Sequence, residues 1–365
     1  MDRKMLKALF RKGINFGNTK IQAKVSKFFF DLDSYMEPLK FRPEELHLSL
    51  TNLCNAKCVF CGYQYQKYPK SIMPDDIFIK ALEDYLSLGG GNVFLTPPVG
   101  EPLLDPKFCQ RVEHLRSFKQ IGHIKVITNG ILIDKHGIDR ILTSGLNELH
   151  LSTSGFDKAS WERIYQIKGA FERMRDNAIS LARRNSELDY PVDLRIRVLS
   201  DRTIDEVLAA KEFDMMDKYK VKIEYIHRFS NFSGLIKELP KGMIFWGDQK
   251  KPEPCIIIYH GPVIMPDGNV IACNCHTAMD PVEDLILGNI KYSSLCEIWR
   301  GSRTHALITQ FIEKRLNERC QNCTTYRNLD LYRTFQGRER LRRIGDILSK
   351  EAELNHADHR YSDKK

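Results

Sequence analysis

The chain has 365 residues, 42% of them hydrophobic and 28% charged, with a formal net charge of +9. That length accommodates one large domain and a smaller one, and no apolar run is long enough to span a bilayer. The N-terminus lacks the continuous apolar stretch of a secretory signal, so the ten cysteines are expected as metal ligands in a reducing cytosol rather than as disulfides.

Residues 1–45 read as a basic N-terminal leader. Within residues 1–30, Arg3, Lys4, Lys7, Arg11, Lys12, Lys20, Lys24 and Lys27 stand against Asp2 alone. Leu6, Leu9, Phe10 and Ile14 form one apolar face of a short helix, broken by Gly13 and Gly17. The first expectation is a solvated helix packed on the domain; the second is weak contact of residues 1–30 with an anionic membrane surface or an acidic partner. No specific nucleic-acid contact is expected, because charge without a reading motif gives only non-specific binding.

The next stretch is Leu46–Leu50, an alternating run with Leu46, Leu48 and Leu50 on one face and His47, Ser49 and Thr51 on the other. It leads into Cys54-Asn-Ala-Lys-Cys58-Val-Phe-Cys61. Three thiolates this close can hold three irons of a [4Fe–4S] cube and leave the fourth iron open to another ligand. The competing reading is zinc, but a structural zinc site closes with four ligands. The candidates for a fourth, His47 inside the strand and the distant Cys109, are poorly placed.

From residue 46 to 230 the pattern alternates strand and helix. Strands are expected at Leu46–Leu50, Asn92–Leu95, Ile124–Ile127, Glu148–Ser152, Val192–Leu199 and Val221–Ile226. Helices are expected at Pro74–Leu88, Lys107–Phe118, Lys135–Thr143, Trp161–Arg184 (with a break near Gly169) and Ile204–Tyr219. Repeated strand–helix units make a parallel sheet with helices outside, and six of them predict an α/β fold, a partial (β/α)6 barrel of TIM type. Sites in such barrels lie at the C-terminal ends of the strands. There stand Pro98-Val99-Gly100-Glu101-Pro102, where Gly100 admits a close backbone approach and Glu101 offers a carboxylate to a cationic amine. Thr128 and Asn129 follow the third strand, and Ser152 and Ser154 the fourth. Arg195 and Arg197 lie on the fifth, and Tyr225, His227, Arg228, Asn231 and Ser233 at or after the sixth.

Residues 231–254 read as a linker, 255–328 as a small cysteine-rich domain, and 329–365 as a basic C-terminal helix and tail. In the small domain, Cys255 precedes a Pro266-Asp267-Gly268-Asn269 hairpin turn, Cys273-Asn-Cys275 follows it, and Cys320-Gln-Asn-Cys323 comes later. A hairpin flanked by cysteines plus a C-x2-C makes a four-thiolate site, which suits zinc or a rubredoxin-like iron as well as a cluster. Cys109 and Cys296 are expected in the core. Cys275 is left as a residue beside the ligands, an alternative ligand to Cys273, or a hydrogen donor.

The C-x3-C-x2-C motif, with Phe60 before its last cysteine and Gly-Glu-Pro about forty residues on, resembles the signature of the radical S-adenosylmethionine (SAM) enzymes. The order of Cys, Asp-Gly turn, Cys, Gly288-Asn289-Ile290, Ile298-Trp299 and C-x2-C resembles the short SPASM type of C-terminal extension. The resemblances cover residues 46 to about 327. They imply a [4Fe–4S] cluster on Cys54, Cys58 and Cys61 that chelates SAM and, when reduced, cleaves it to methionine and a 5′-deoxyadenosyl radical. They imply a second, auxiliary [4Fe–4S] cluster on Cys255, Cys273, Cys320 and Cys323. They also place Glu101 at the SAM α-amine. From their position at strand ends, Gly100, Thr128, Asn129, Ser152, Ser154 and Arg197 are expected to bind the rest of the cofactor or to shape its cavity. Relatives pair the SAM carboxylate with a basic residue on the following helix; here Tyr165 stands in that position, and Lys168 or Arg163 is expected to substitute. The expected source of the electron is a flavodoxin- or ferredoxin-type donor.

The pattern is closest to aminocyclitol and sugar dehydrogenases, in which a substrate alcohol carbon loses a hydrogen and passes an electron to the auxiliary cluster. The alternatives are an epimerase with Cys275 returning the hydrogen, and a maturase of a ribosomally made peptide.

Overall fold

The computed structural model describes residues 32–96, 98–247, 251, 253–273 and 283–329. The basic segment 1–30, Cys275 and the expected helix 329–350 beyond Leu329 lie outside these residues.

Six parallel strands form the centre: β1 (Glu45–Leu48), β2 (Gly91–Phe94), β3 (Ile121–Thr128), β4 (Glu148–Thr153), β5 (Asp193–Leu199) and β6 (Lys222–Ile226). They hydrogen-bond in that order, with Leu46 opposite Val93, Val126 opposite Leu149 and Ser152 opposite Arg197. This is the expected α/β arrangement, and each strand lies within three residues of its predicted span. The predicted contrast of faces on the first strand takes a different form. Leu46 and Leu48 are buried, but so are His47, Ser49 and Thr51, because a parallel sheet is covered on both sides.

The helices cover the outside. Asp75–Ser87 buries Ile77, Phe78, Ala81, Leu82 and Tyr85, one stripe at helical spacing, with Asp75 and Asp76 at its positive N-terminal end. Three predicted helices divide in two. The expected Lys135–Thr143 becomes Ile133–His136 and Ile138–Thr143, parted by Gly137 at φ 83°. The long one becomes Lys158–Tyr165 and Phe171–Glu187, parted at the expected break, where Gln166 (φ 53°) and Gly169 (φ 73°) are left-handed. Ile204–Tyr219 becomes Ile204–Leu208 and Glu212–Lys218.

Two arrangements were not read from the sequence. The helix Leu32–Phe41 lies within the segment read as a leader and buries Met36 and Leu39. The cysteine-rich region also adds strands to the barrel sheet. After the short parallel pair β7 (Arg228–Phe229) and β8 (Ile244–Phe245) come β9 (Val263–Ile264), β10 (Asn269–Ile271) and β11 (Ile286–Asn289). β9 pairs with β1 in parallel, and β10 and β11 follow antiparallel, giving one nine-stranded sheet in the order β11-β10-β9-β1-β2-β3-β4-β5-β6.

Candidate functional site

The cysteine loop follows β1 and is held by backbone bonds to the C-terminal end of the helix Lys158–Tyr165. The amide of Lys57 donates to the Tyr165 carbonyl at 3.1 Å and that of Val59 to the Ile164 carbonyl at 2.9 Å. These are among the last carbonyls of a helix, which have no partner within it. The Cys54 amide donates to the Tyr63 hydroxyl at 3.1 Å. Phe60 meets Tyr165 edge-on, ring centres 5.9 Å apart, and Tyr165 stacks on Trp161 at 5.0 Å.

Cys54, Cys58 and Cys61 are half-buried at one end of a cavity of about 700 Å³. Burial pushes the Cys54 thiol up to about 12, and the nearby Glu101 adds to it. Burial raises Cys58 well above the usual thiol value, and Cys61 and Cys54 raise it further. Among the described residues these crowded thiols have no counter-charge and so hold their protons tightly; a cationic iron centre would supply that charge and ionise each coordinating thiol. The donor set fits an iron–sulfur cluster.

Glu101 is buried on the same cavity wall. Its Oε1 accepts from Thr128 Oγ1 at 2.6 Å and the Leu103 amide at 3.1 Å; its Oε2 accepts from the Asn129 amide at 2.8 Å. Burial raises its pKa to about 7 despite these three bonds. Among the described residues it has no ion-pair partner, so a bound ammonium group suits it. The motif is tied to the cysteine loop twice: the Glu101 amide donates to Leu53 O at 2.7 Å, and Asn129 Nδ2 to Asn55 Oδ1 at 2.6 Å. Gly100 adopts φ 144°, a conformation an L side chain rarely takes. Val99 is buried against Tyr63, with Cys54 and Cys61 beside them, so the valine shields two thiols.

Further along the wall, Ser152 on β4 and Arg197 on β5 are direct neighbours that both line the cavity. Arg197 approaches Glu224 no closer than 3.7 Å, and burial lowers its pKa. Tyr165 lines the cavity, and its buried hydroxyl has no hydrogen-bond partner among the described residues. Deeper in the barrel lie His150, Lys125 and Arg195. Burial pushes the Glu148 carboxyl up, but Lys125, His150 and His123 outweigh it and hold it at about 2.

The structure brings Gly100, Glu101, Thr128, Asn129, Ser152 and Arg197 together around the three thiols. It leaves others out. Lys168 is exposed, beyond the left-handed turn at Gln166, and does not line the cavity. Arg163 pairs with Asp201 at 2.7 Å on the outside. Ser154 is buried away from the cavity lining. Tyr225, His227, Arg228, Asn231 and Ser233 also point elsewhere: Tyr225 donates to Arg202 O, and the Asn231 side chain bonds Thr324. Their neighbours Ser230 and Phe232 line the cavity instead. Cys109 sits in the core as expected.

Three of the C-terminal thiols, Cys255, Cys320 and Cys323, lie near Tyr326. Burial raises this phenol's pKa, and the nearby Cys255, Cys320 and Cys323 add to it. The Arg327 amide reaches the Cys255 sulfur at 3.5 Å, and the Cys323 sulfur lies 3.4 Å from Thr325 Oγ1. Thr325 and Arg327 also line the cavity that Cys54, Cys58 and Cys61 line. No signal in the sequence marked these two residues as cavity walls.

A model of the radical SAM superfamily matches residues 48–213, and a model of the iron–sulfur cluster-binding SPASM domain matches residues 255–324. The chain carries a radical SAM domain followed by a SPASM domain. Its cofactors are therefore a [4Fe–4S] cluster with SAM, and auxiliary iron–sulfur chemistry in the second domain.

Curated relatives include GTP 3′,8-cyclases of Psychromonas ingrahamii, 25% identical over 44% of this chain and 50% of the relative, and of Lactiplantibacillus plantarum, 27% identical over 47% and 52%. The chain thus spans about half the length of these curated relatives. Solved structures with the same fold include BtrN in complex with AdoMet and 2-DOIA, TM-score 0.52, 15% identity, covering 79% of this chain and 97% of BtrN. Streptococcus suis SuiB bound to the precursor peptide SuiA has TM-score 0.55 and 16% identity, over 80% and 72% of the two chains. Native anSMEcpe with bound AdoMet has TM-score 0.52 and 16% identity, over 84% and 99%. At these identities the likeness is one of fold. Among the described residues, no helix is long and apolar enough to cross a membrane.

Proposed function

We propose that this chain is a radical SAM oxidoreductase that oxidises an alcohol carbon of a sugar, cyclitol or similar hydroxylated metabolite. The observation that carries the reading is the shared cavity wall. Thr325 and Arg327 face the same space as Cys54, Cys58 and Cys61, and lie against the thiols of Cys323 and Cys255. A molecule in the cavity is thereby next to both cysteine sets, as a two-electron oxidation requires and a redox-neutral rearrangement does not.

In this reading Cys54, Cys58 and Cys61 hold the first cluster, and Cys255, Cys273, Cys320 and Cys323 the auxiliary one. When bound, the first cluster and SAM supply a hydrogen-abstracting radical, and the auxiliary cluster supplies an electron acceptor. Glu101 binds the SAM amine, with Thr128, Asn129 and Leu103 fixing its orientation. Arg197, with Ser152 beside it, takes the carboxylate role that the sequence assigned to Lys168 or Arg163. Phe60 and Tyr165 exclude water from the thiol end of the cavity. BtrN, whose structure holds AdoMet and 2-DOIA, supports a small-molecule substrate; SuiB with its peptide is the counter-example.

The test is an anaerobic assay of the reconstituted protein with reductant, SAM and a panel of sugar and cyclitol alcohols. The reading expects 5′-deoxyadenosine and a ketone product in equal amounts. It also expects Cys255→Ala to keep SAM cleavage while losing the ketone. An epimerised alcohol, or a modified peptide with no ketone from any alcohol, would replace the oxidoreductase reading.

A further inference from the structure

The cavity has a second cluster of ligating side chains at the far end of β1 from the cysteine loop. Glu45 and His47 are two residues apart on β1, so both project to the same side, into the barrel. His260 comes from the end of the helix Ile257–His260, just before β9 pairs with β1. His47 Nε2 lies 2.8 Å from Glu45 Oε1, and His260 Nδ1 lies 3.3 Å from the same oxygen. One ligand atom from each residue falls within 4.8 Å of the other two. A second carboxylate, Glu44 Oε2, stands 3.7 Å from His260 Nδ1.

The backbone forces this approach. A Cβ at Gly261 would sit 1.8 Å from the Glu45 carbonyl oxygen, so only glycine lets the segment after His260 lie against the start of β1. The His47 amide donates to Pro262 O at 3.1 Å and completes the join. His47 is further fixed by Phe94, edge-on at 5.1 Å.

We propose that Glu45, His47 and His260 form a binding site for a divalent first-row transition ion, of which zinc is the probe. Two imidazoles and one carboxylate are a known donor set for such ions, and leave coordination positions open. Ligand atoms around a tetrahedral zinc lie about 3.3 Å apart, inside the range this triad spans. Two carboxylates beside two imidazoles supply the negative charge that a dication balances. All three ligands line the cavity, so the open position faces the space that a bound molecule would occupy and offers a Lewis acid to its oxygens. This site is separate from both cysteine sets and does not rest on the oxidoreductase reading.

The experiment uses the holoenzyme, reconstituted anaerobically, exposed to Zn²⁺ alone and passed through gel filtration. Metal analysis counts iron and zinc together, and zinc-edge X-ray absorption reads the zinc ligands. The expected result is about one zinc per chain, bound only to nitrogen and oxygen at about 2.0–2.2 Å with imidazole scattering. The double variant His47→Ala/His260→Ala should lose that zinc at least tenfold with its iron count unchanged. Absence of retained zinc, or zinc bound to sulfur at about 2.3 Å, overturns the proposal. If the double variant loses iron as well, the wild-type ligand spectrum decides in the same terms.

Discussion

The backbone amide of Lys57 donates to the carbonyl of Tyr165 across more than a hundred residues, at 3.1 Å. It fastens the middle of the cysteine loop to a helix end. Lys57→Ala keeps that bond, because only the backbone takes part; Lys57→Pro removes the donor. We expect the alanine variant to assemble as much iron as the wild type and the proline variant less than half. Iron per chain after reconstitution checks it, and equal iron in both would show the tether to be dispensable.

Glu101 sets a pH dependence. Its pKa rises from 4.5 to about 7 on burial, so between those values the folded chain binds a proton that the unfolded chain has released. Stability from this group is therefore full below 4.5 and declines as pH rises to about 7, by up to about 3 kcal/mol in the cofactor-free chain. Glu101→Gln should flatten that decline and abolish SAM cleavage. Urea unfolding of both chains at several pH values reads the difference; parallel curves would mean that Glu101 is ionised throughout.

Arg197 and Arg163 separate the two assignments of the SAM carboxylate. Arg197→Ala is expected to weaken SAM binding by ten- to a hundred-fold, the loss of about 1.4–2.7 kcal/mol. Arg163→Ala should leave it within two-fold. Calorimetric titration of SAM into the reconstituted protein decides, and the reverse ranking would return the role to the helix residue.

Behind the Glu101 turn, Asp105 and Arg111 form a buried pair with Nε and Oδ2 2.8 Å apart. Arg111 also donates to Met73 O at 2.5 Å. Replacing Arg111 by Met strands a buried carboxylate, which typically costs about 3–5 kcal/mol. The double change Asp105→Leu/Arg111→Met should cost clearly less. Denaturant midpoints of the three chains check this, and equal losses in both variants would assign the effect to the Met73 contact.

What could be read in the sequence follows from what each signal depends on. The six parallel strands and the thiol loop are local patterns, and they are where the alternation and spacing put them. Glu101 was legible because Gly and Pro flank it at a strand end. Lys168 lies off the cavity for a geometric reason: Gln166 turns left-handed, and Lys168 beyond it is exposed. The helix split at Gly137 was hidden because the apolar spacing continues across it, whereas the break between Tyr165 and Phe171 was legible at Gly169. Thr325, Arg327 and His260 gave no local signal at all, since their place on the cavity wall depends on β9 pairing with β1. The partner of a strand in a sheet is not written in the strand's own periodicity.

That pairing has a mechanical consequence. Leu48 on β1 lies opposite Ile264 on β9, Trp299 donates to Leu39 O at 2.9 Å, and the Leu295 amide to Asp84 at 2.9 Å. The C-terminal region is thus stitched into the barrel rather than hung from it. Cutting the chain near residue 250 should leave two pieces that stay associated and melt in a single transition, and the piece ending there, expressed alone, would present the bare edge of β1 to whatever strand it meets.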